Sequence, residues 1–230
     1  MLRALLFDFD ETLFERQAAL ERFHERLLDR CGIRGELRGD VLKRLVASDR
    51  ENHYQGLKTY SQRAAAIAPE LNLSAEQYYD LYVPGLLDAI LPEYETIAML
   101  GRLSARFKLA VVTNGSSARQ REKLRRTGLI DCFVPAAIFV SEEVGKKKPD
   151  PLMFRRALEF LNCAPQEALF CGDDPERDIN AAASLGMAAC WVNGSRPGAV
   201  YPTELLAPNW TVHRVGELER ILGSAKRPHD

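Results

Sequence analysis

Short, almost uninterrupted apolar runs recur along the chain and constrain its fold more than any other feature. These runs occupy residues 4–9, 109–113, 136–140, 168–171 and 188–192. Strands lack polar alternation in this way when helices cover both faces of their sheet. Helical patterns follow the second, third and fourth runs, at residues 116–127, 151–161 and 176–185. Strands that alternate with helices form parallel sheets, so we predict a doubly wound, Rossmann-like α/β core.

The stretch of residues 15–91 interrupts this alternation. It has no strand-like run, and its apolar residues recur at helical spacing, as at Leu20, Phe23 and Leu27 and again at Leu42, Leu45 and Val46. A long crossover with extra helices is one interpretation. A separate domain is favoured, because the stretch is far longer than a crossover requires. We therefore predict a core of residues 1–14 and 92–230 and an all-helical cap of residues 15–91.

One further helix of this cap has a recognisable start. Ser74 followed by Gln77 predicts a capping box, in which the two side chains bond each other's backbone. Pro84 lies further along the same pattern and is expected to end or kink the helix, because proline lacks a backbone N–H.

Charge and cysteine content exclude several classes of protein. Acidic and basic residues nearly cancel, to a net charge of -1, so no basic face is expected to bind a nucleic acid polymer. The first apolar run is too short for a signal peptide or a membrane span, so we expect a cytoplasmic protein without a membrane partner. The five cysteines are widely spaced and form no CxxC pair, which indicates reduced structural thiols.

Two acidic residues close the first apolar run, in the sequence LLFDFDETLF. Asp8 and Asp10 are two positions apart, so their side chains point the same way on an extended chain. Ligands bind beyond the carboxyl ends of the strands in an open α/β sheet, which makes this pair a candidate site. Solvated loop acids, or one acid that caps a helix, are the alternative.

The segment VVTNGS reaches the same edge of the predicted sheet. Thr113 closes the second run, and Asn114 and Gly115 begin the turn into a helix. A hydroxyl followed by backbone N–H groups at a helix start can bind phosphate. An ordinary Asn-Gly turn is the alternative.

Two further segments, GKKKPD and CGDDPERDI, are rich in charged residues. The lysines of GKKKPD, at positions 146–148, are either a solvated charge run or a counter-charge. In CGDDPERDI, Asp173 and Asp174 follow the fourth run, and Asp178 comes one helical turn later. Such acids indicate Mg²⁺ rather than zinc, although Asp174 could instead cap the helix. Together the segments supply a carboxylate nucleophile, a second carboxyl, phosphate donors, a lysine and a metal site for phosphoryl transfer.

The chain resembles the haloacid dehalogenase superfamily over essentially its whole length. Its four motifs occur in the order of that superfamily: DFDETL, VVTNGS, the lysine before Pro149, and GDDPERD. The helical insertion is similar to the small cap between the first two motifs of that superfamily. The resemblance implies that Asp8 attacks phosphorus and becomes an aspartyl-phosphate. It also implies that Asp10 protonates the leaving oxygen and then deprotonates the attacking water. The expected protein is a magnesium-dependent phosphatase for a small phosphorylated metabolite.

The same resemblance assigns the remaining roles. The implied phosphate-binding residues are Thr113, Asn114, Gly115 and Lys148. The implied ligands of Mg²⁺ are the Asp8 carboxylate, the Asp10 backbone carbonyl and Asp173, with Asp178 expected behind them.

Two positions depart from the family pattern. Glu11 stands where glycine is common, which should stiffen the turn towards the cap without loss of chemistry. Asp174 stands where serine or threonine is common, which leaves two candidates for one metal ligand. Asp173 is preferred because it follows Gly172 directly.

Within the superfamily, an acid at position 10 favours phosphate esters, because dehalogenation attacks carbon and needs no proton donor there. A non-catalytic role predicts an eroded motif, and none is eroded. Stretches such as TNGSSARQREKLRRTGL and SEEVGKKKPDP are similar to the branch that acts on pyrimidine nucleoside monophosphates. Sugar-phosphate or phosphoglycolate-type phosphatases and phosphomutases of the same build stay open as alternatives.

Specificity should reside in the cap, because the cap covers the leaving group. His53, Tyr54 and Tyr60 are the candidates for base or sugar contacts, with ordinary packing as the alternative for each. Trp191 and Trp210 are expected to pack late elements together. The sequence is compatible with a monomer or a homodimer.

Overall fold

One parallel sheet organises the computed structural model, which describes residues 1–52, 57–194 and 198–223. Its strands are β1 (Ala4–Phe7), β2 (Lys108–Thr113), β3 (Ile138–Val140), β4 (Ala168–Gly172), β5 (Ala188–Val192) and β6 (Trp210–Val212). They lie in the order β3-β2-β1-β4-β5-β6, and each neighbouring pair is parallel. The predicted doubly wound α/β fold is confirmed. The strand order reverses between β1 and β4, where such sheets bind their ligands.

The strands begin and end close to the apolar runs, and the differences have local causes. The first run continues to residue 9, but β1 ends at Phe7 because the chain then enters a tight turn. The third run starts at residue 136, whereas Pro135–Ala137 forms a 3-10 turn and β3 begins after it. The sixth strand, β6, lies outside the five apolar runs.

Both faces of the sheet are buried, which accounts for the missing polar alternation. Leu5 and Leu6 point to opposite faces of β1, and neither is exposed to solvent. On one face, Leu6 packs in a cluster with Val112, Phe170 and the apolar side of a helix that includes Phe154. The apolar runs are therefore interior strands.

The helices fall into two groups: some belong to the same unit as the sheet, and the others form a separate unit. In chain order they are α1 (Arg16–Arg30), α2 (Gly35–Asn52), α3 (Leu57–Ile67), α4 (Ala75–Asp88), α5 (Tyr94–Ser104), α6 (Ser117–Arg126), α7 (Ser141–Val144), α8 (Pro151–Leu161), α9 (Ala181–Ser184) and α10 (Leu218–Gly223). A π-helical turn, Pro175–Asn180, precedes α9. The chain divides into two units, a sheet unit of Met1–Glu15 and Pro92–Asp230 and a helical unit of Arg16–Leu91.

The helical unit contains α1 to α4. The predicted capping box starts α4: Gln77 N–H donates to Ser74 Oγ over 3.1 Å, and Ser74 N–H donates to Gln77 Oε1 over 2.8 Å. Pro84 does not end α4, which continues to Asp88. Buried side chains on both sides of the proline, Tyr82 and Leu86, anchor the helix across it.

The prediction for the cap's polar residues falls largely outside the described residues. His53, Tyr54 and the side chain of Tyr60 lie outside the part of the chain that the structure describes. No helix in the described part of the chain has both the length and the apolar character needed to cross a membrane. The cysteine thiols are free, with Cys171 and Cys190 buried opposite each other on β4 and β5.

Candidate functional site

The chain leaves β1 through a tight turn that carries both acidic residues of the first motif. The N–H of Asp8 donates to the carbonyl of Cys171 on β4 over 2.8 Å, which keeps Asp8 in line with the sheet. The N–H of Phe14 then donates back to the Phe9 carbonyl over 3.1 Å. Inside this turn Glu11 has a φ of 62°, in the left-handed region that glycine adopts without strain.

Lys148 lies between two buried carboxylates. Its Nζ donates a hydrogen bond of 2.5 Å to Asp8 Oδ1 and forms an ion pair of 2.6 Å with Asp178 Oδ1. Lys146 and Lys147 are exposed, as expected for a solvated charge run. Of the three lysines, Lys148 is therefore the one that serves as the counter-charge to Asp8 and Asp178.

The VVTNGS segment positions this lysine. Lys148 N–H donates to Asn114 Oδ1 over 2.8 Å, and Asn114 Nδ2 donates to the Lys148 carbonyl over 3.0 Å. The N–H of Gly115, expected among the phosphate donors, donates instead to Ser141 Oγ over 2.9 Å. Thr113 is buried at the end of β2. In this arrangement the Asn114 side chain fixes the backbone of Lys148.

Three carboxylates form a group that could hold a metal ion. Asp8, Asp173 and Asp178 each offer an oxygen, and these oxygens lie within 4.8 Å of one another. Trp191 Nε1 donates to the Asp173 carbonyl over 2.9 Å, which fixes the backbone beside the group. A set of carboxylate oxygens matches the preference of Mg²⁺. The residues therefore fit a hard divalent cation.

The second acid of GDDPERD has another function. Asp174 Oδ1 accepts from the N–H groups of Glu176 and Arg177 over 3.0 and 2.8 Å, and its Oδ2 accepts from Arg177 Nη2. Asp174 is thus the N-cap of the π-helical turn. Gly172 has a packing reason, because a Cβ at this position would collide with the Asp178 carboxylate.

A second lysine contacts the other acidic residue of the first motif. Lys123 Nζ, on α6, lies 2.5 Å from both carboxylate oxygens of Asp10 and 5.3 Å from the centre of the Phe9 ring. Gln120 Nε2, one turn earlier, donates to Asp10 Oδ2 over 3.0 Å and to Thr113 Oγ1 over 2.6 Å. Both α6 side chains are buried. The two carboxylates of the motif therefore have separate lysine partners.

Burial and charge act against each other at this edge of the sheet. Burial raises the pKa of Asp8 to about 7, and the charges of Asp178 and Asp10 add to the rise, whereas Lys148 opposes it. Burial acts to lower the pKa of Lys148, but the carboxylates of Asp178 and Asp8 outweigh it and raise that pKa. Lys148 therefore stays protonated near neutral pH, while the metal-free Asp8 carboxyl titrates there.

Sequence reasoning did not single out Gln120 and Lys123, although a signal was present. The α6 sequence SARQREKLRR has only Ala118 and Leu124 as apolar residues. A helix beside a buried sheet must turn one face inward, so polar residues on the same side of the helix as Leu124 had to be buried with partners. Gln120 and Lys123, three positions apart, occupy that face.

Comparisons with known proteins identify the family of the chain. The model of the haloacid dehalogenase-like hydrolase family matches residues 5–192. Pyrimidine 5'-nucleotidase YjjG of Escherichia coli is 30% identical over 230 residues, which cover 95% of this chain and 96% of that protein. A glyceraldehyde 3-phosphate phosphatase of Methanopyrus kandleri is 32% identical over 200 residues, 81% of this chain and 82% of that protein.

Solved structures share the fold. The HAD-hydrolase YfnB of Bacillus subtilis, a structure bound to magnesium, superposes with a TM-score of 0.76 at 25% identity over 96% of this chain and 98% of that one. A 2-haloacid dehalogenase of Xanthobacter autotrophicus has a TM-score of 0.71 at 18% identity, over 98% of this chain and 100% of that one, and shows the fold alone. The chain belongs to the haloacid dehalogenase-like hydrolase family, and it is a phosphatase of that family.

Proposed function

We propose that this phosphatase hydrolyses a small phosphate monoester with Mg²⁺ through an aspartyl-phosphate on Asp8, and that a nucleoside 5'-monophosphate is the first substrate class to test. The observation that carries the proposal is the convergence on Asp8 of a buried lysine and an acidic, metal-competent group. A nucleophile, its counter-charge and a cation site at one sheet edge are the requirements of phosphoryl transfer.

In the proposed first step, a carboxylate oxygen of Asp8 attacks phosphorus, and the ester P–O bond breaks. Asp10 gives its proton to the leaving oxygen, so that an alcohol departs rather than an alkoxide. Lys148 and Thr113 hold the phosphoryl oxygens. When bound, Mg²⁺ would neutralise negative charge on the transferring group, held by Asp8, Asp173 and the Asp10 backbone carbonyl, with Asp178 beside them.

The second step releases phosphate. Asp10, now ionised, takes a proton from water as the water oxygen attacks phosphorus, and the bond between phosphorus and Asp8 breaks. Each step transfers one proton through Asp10, and the two steps together return the enzyme to its starting state. An acid at position 10 supports phosphate ester hydrolysis over dehalogenation, which displaces halide from carbon and has no leaving oxygen to protonate.

The substrate class draws on the relatives. YjjG is a pyrimidine 5'-nucleotidase and aligns over nearly the whole of both chains, which supports nucleoside 5'-monophosphates. The Methanopyrus kandleri relative is a glyceraldehyde 3-phosphate phosphatase, which supports the sugar-phosphate alternative. Residues of the helical unit are proposed to distinguish these substrates.

The test is phosphate release from a panel of nucleoside 5'-monophosphates, sugar phosphates and phosphoglycolate, with Mg²⁺ or with a chelator. We expect turnover that requires Mg²⁺ and that Asp8→Asn abolishes. Turnover that survives this substitution or the chelator would overturn the mechanism. Activity on sugar phosphates alone would remove the nucleotidase and leave the phosphatase, and isomerisation of a sugar phosphate would favour a mutase.

A further inference from the structure

Lys123 contacts both oxygens of the Asp10 carboxylate, so neither side chain can easily change its conformation. Its Nζ lies 2.5 Å from Oδ1 and 2.5 Å from Oδ2, so both oxygens are engaged at once. The side chain of Lys123 is 6% exposed and that of Asp10 is 20% exposed. Because the pair is largely removed from water, its geometry is held more firmly than that of a surface ion pair.

Gln120 joins this pair to the phosphate-binding end of the proposed site. One amide nitrogen, Nε2, donates to Asp10 Oδ2 and to Thr113 Oγ1. The amide lies close against Gly115, where a Cβ would meet the Gln120 side chain. A single side chain of α6 thus sets the relative placement of the acidic group and the hydroxyl.

Stability alone does not explain these buried polar groups. Taking a lysine and a carboxylate out of water costs much of what their attraction returns, and apolar residues of similar size usually serve stability as well or better. The ion pair between Arg125 and Glu122, also on α6, is much more exposed to solvent. The Lys123–Asp10 pair therefore calls for a functional reason.

We propose that Lys123 and Gln120 are positioning residues for Asp10, holding its carboxyl at a fixed place relative to Thr113 so that it meets the leaving oxygen of a bound phosphate ester. The inference rests on the proposed role of Asp10 as the proton-transferring group. Neither α6 residue is proposed to touch the substrate.

This role predicts a dependence on the leaving group. Phenol is a much weaker acid than p-nitrophenol, so phenyl phosphate needs proton donation more than p-nitrophenyl phosphate does. A misplaced Asp10 should therefore slow phenyl phosphate selectively, whereas general damage to the site should slow both esters alike. The value of kcat/KM reports the steps up to the loss of the alcohol, which makes it the relevant measurement.

The experiment compares kcat/KM for the two esters in wild type, Lys123→Met and Lys123→Arg, with Mg²⁺ present. We expect Lys123→Met to lower the value for phenyl phosphate by about 10- to 100-fold and that for p-nitrophenyl phosphate by less than about 3-fold. Lys123→Arg, which keeps a cation with several donors, should recover part of the loss. Arg125→Met, on the exposed face of the same helix, should change neither value by more than about 2-fold.

An equal loss on both esters, or no loss on either, would overturn the proposal. If Lys123→Met fails to fold, Lys123→Gln takes the same comparison with its melting temperature measured alongside. Asp10→Asn separates this inference from the proposed function. Should Asp10→Asn hydrolyse phenyl phosphate like wild type, the role of Asp10 fails; should it be selectively impaired while Lys123→Met is not, only the inference fails.

Discussion

Lys148 Nζ and Asp8 Oδ1 lie 2.5 Å apart, and their side chains are 3% and 10% exposed. The same amino group lies 2.6 Å from Asp178 Oδ1, so one buried cation faces two buried carboxylates. The acidic charge exceeds the basic charge at this point, as expected for a site that receives a divalent cation. Loss of the lysine would leave both acids without their counter-charge.

Replacement of Lys148 by methionine should therefore damage both stability and activity. We expect the metal-free protein to lose about 3 kcal/mol or more, because a buried ion pair that loses one partner leaves uncompensated charge. The kcat for the best substrate should fall by about 100-fold or more, as when a preorganised donor is removed. Lys147→Met is the matched control and should change stability by less than about 0.5 kcal/mol, since Lys147 is exposed. Similar effects of the two substitutions would contradict the assignment.

Substitution of the adjacent residues Asp173 and Asp174 should have different effects on the stabilisation by magnesium. Saturating Mg²⁺, at about 100 times its Kd, should stabilise wild type by about 2.7 kcal/mol, measured as a rise in melting temperature. Asp173→Ala should abolish that rise. Asp174→Ala should keep it but start from a melting temperature about 2–4 °C lower, because a helix N-cap is lost. The reverse pattern would identify Asp174 as the ligand.

The raised pKa of Asp8 predicts how the metal-free protein depends on pH. The pKa of this carboxyl rises from 3.8 to about 7 on folding, so the folded state holds its proton more tightly than the unfolded state. Stability should therefore fall as pH increases from about 4 to 7 and become level above that range. Melting curves in chelator should show this fall for wild type relative to Asp8→Asn, which has no such proton. A constant difference between the two proteins across this range would contradict the raised pKa.

Glu11 is expected to cost stability where it stands. Its φ of 62° is unfavourable for a side chain with a Cβ by about 1–2 kcal/mol. Glu11→Gly should raise the free energy of unfolding by up to about 1 kcal/mol, because the unfolded glycine chain is more flexible and offsets part of the relief. Asn162, with a φ of 47°, is the control, since asparagine tolerates this conformation and Asn162→Gly should gain little. Urea unfolding of both variants measures the difference, and a marked loss with Glu11→Gly would mean that its side chain stabilises the turn.

Most of the sheet could be predicted from sequence because burial on both faces leaves a strong local signal. The five apolar runs became β1 to β5, and the acids and the threonine at their ends lie at one sheet edge. The predicted strand boundaries were wrong where local backbone geometry decides them. At Pro135 the proline ring favours a turn, so β3 begins only after it. The helix α4 continues past Pro84, where an end or a kink was expected, because packing on both sides of the proline outweighs the missing N–H.

Within the site, residue type alone could not assign partners. Three consecutive lysines look alike in sequence, and the fold alone buries Lys148 and exposes Lys147. Asp173 was preferred over Asp174 as the metal ligand only for its place after Gly172, whereas the structure shows that Asp174 accepts two backbone N–H groups as a helix cap. The burial of Lys123 has a signal in the α6 sequence, but its partner Asp10 lies 113 positions away in the chain and has none.

The hydrogen bond from the Trp191 indole to the Asp173 carbonyl also gives the protein an optical reporter. The emission of a buried tryptophan shifts with the electric field and the hydrogen bond at its ring, so a divalent cation that arrives beside Asp173 should alter it without any attached label. The chain has two tryptophans, and the other, Trp210, lies on β6. In Trp191→Phe the remaining emission should therefore stay constant during a magnesium titration, which would allow cation occupancy to be followed independently of turnover.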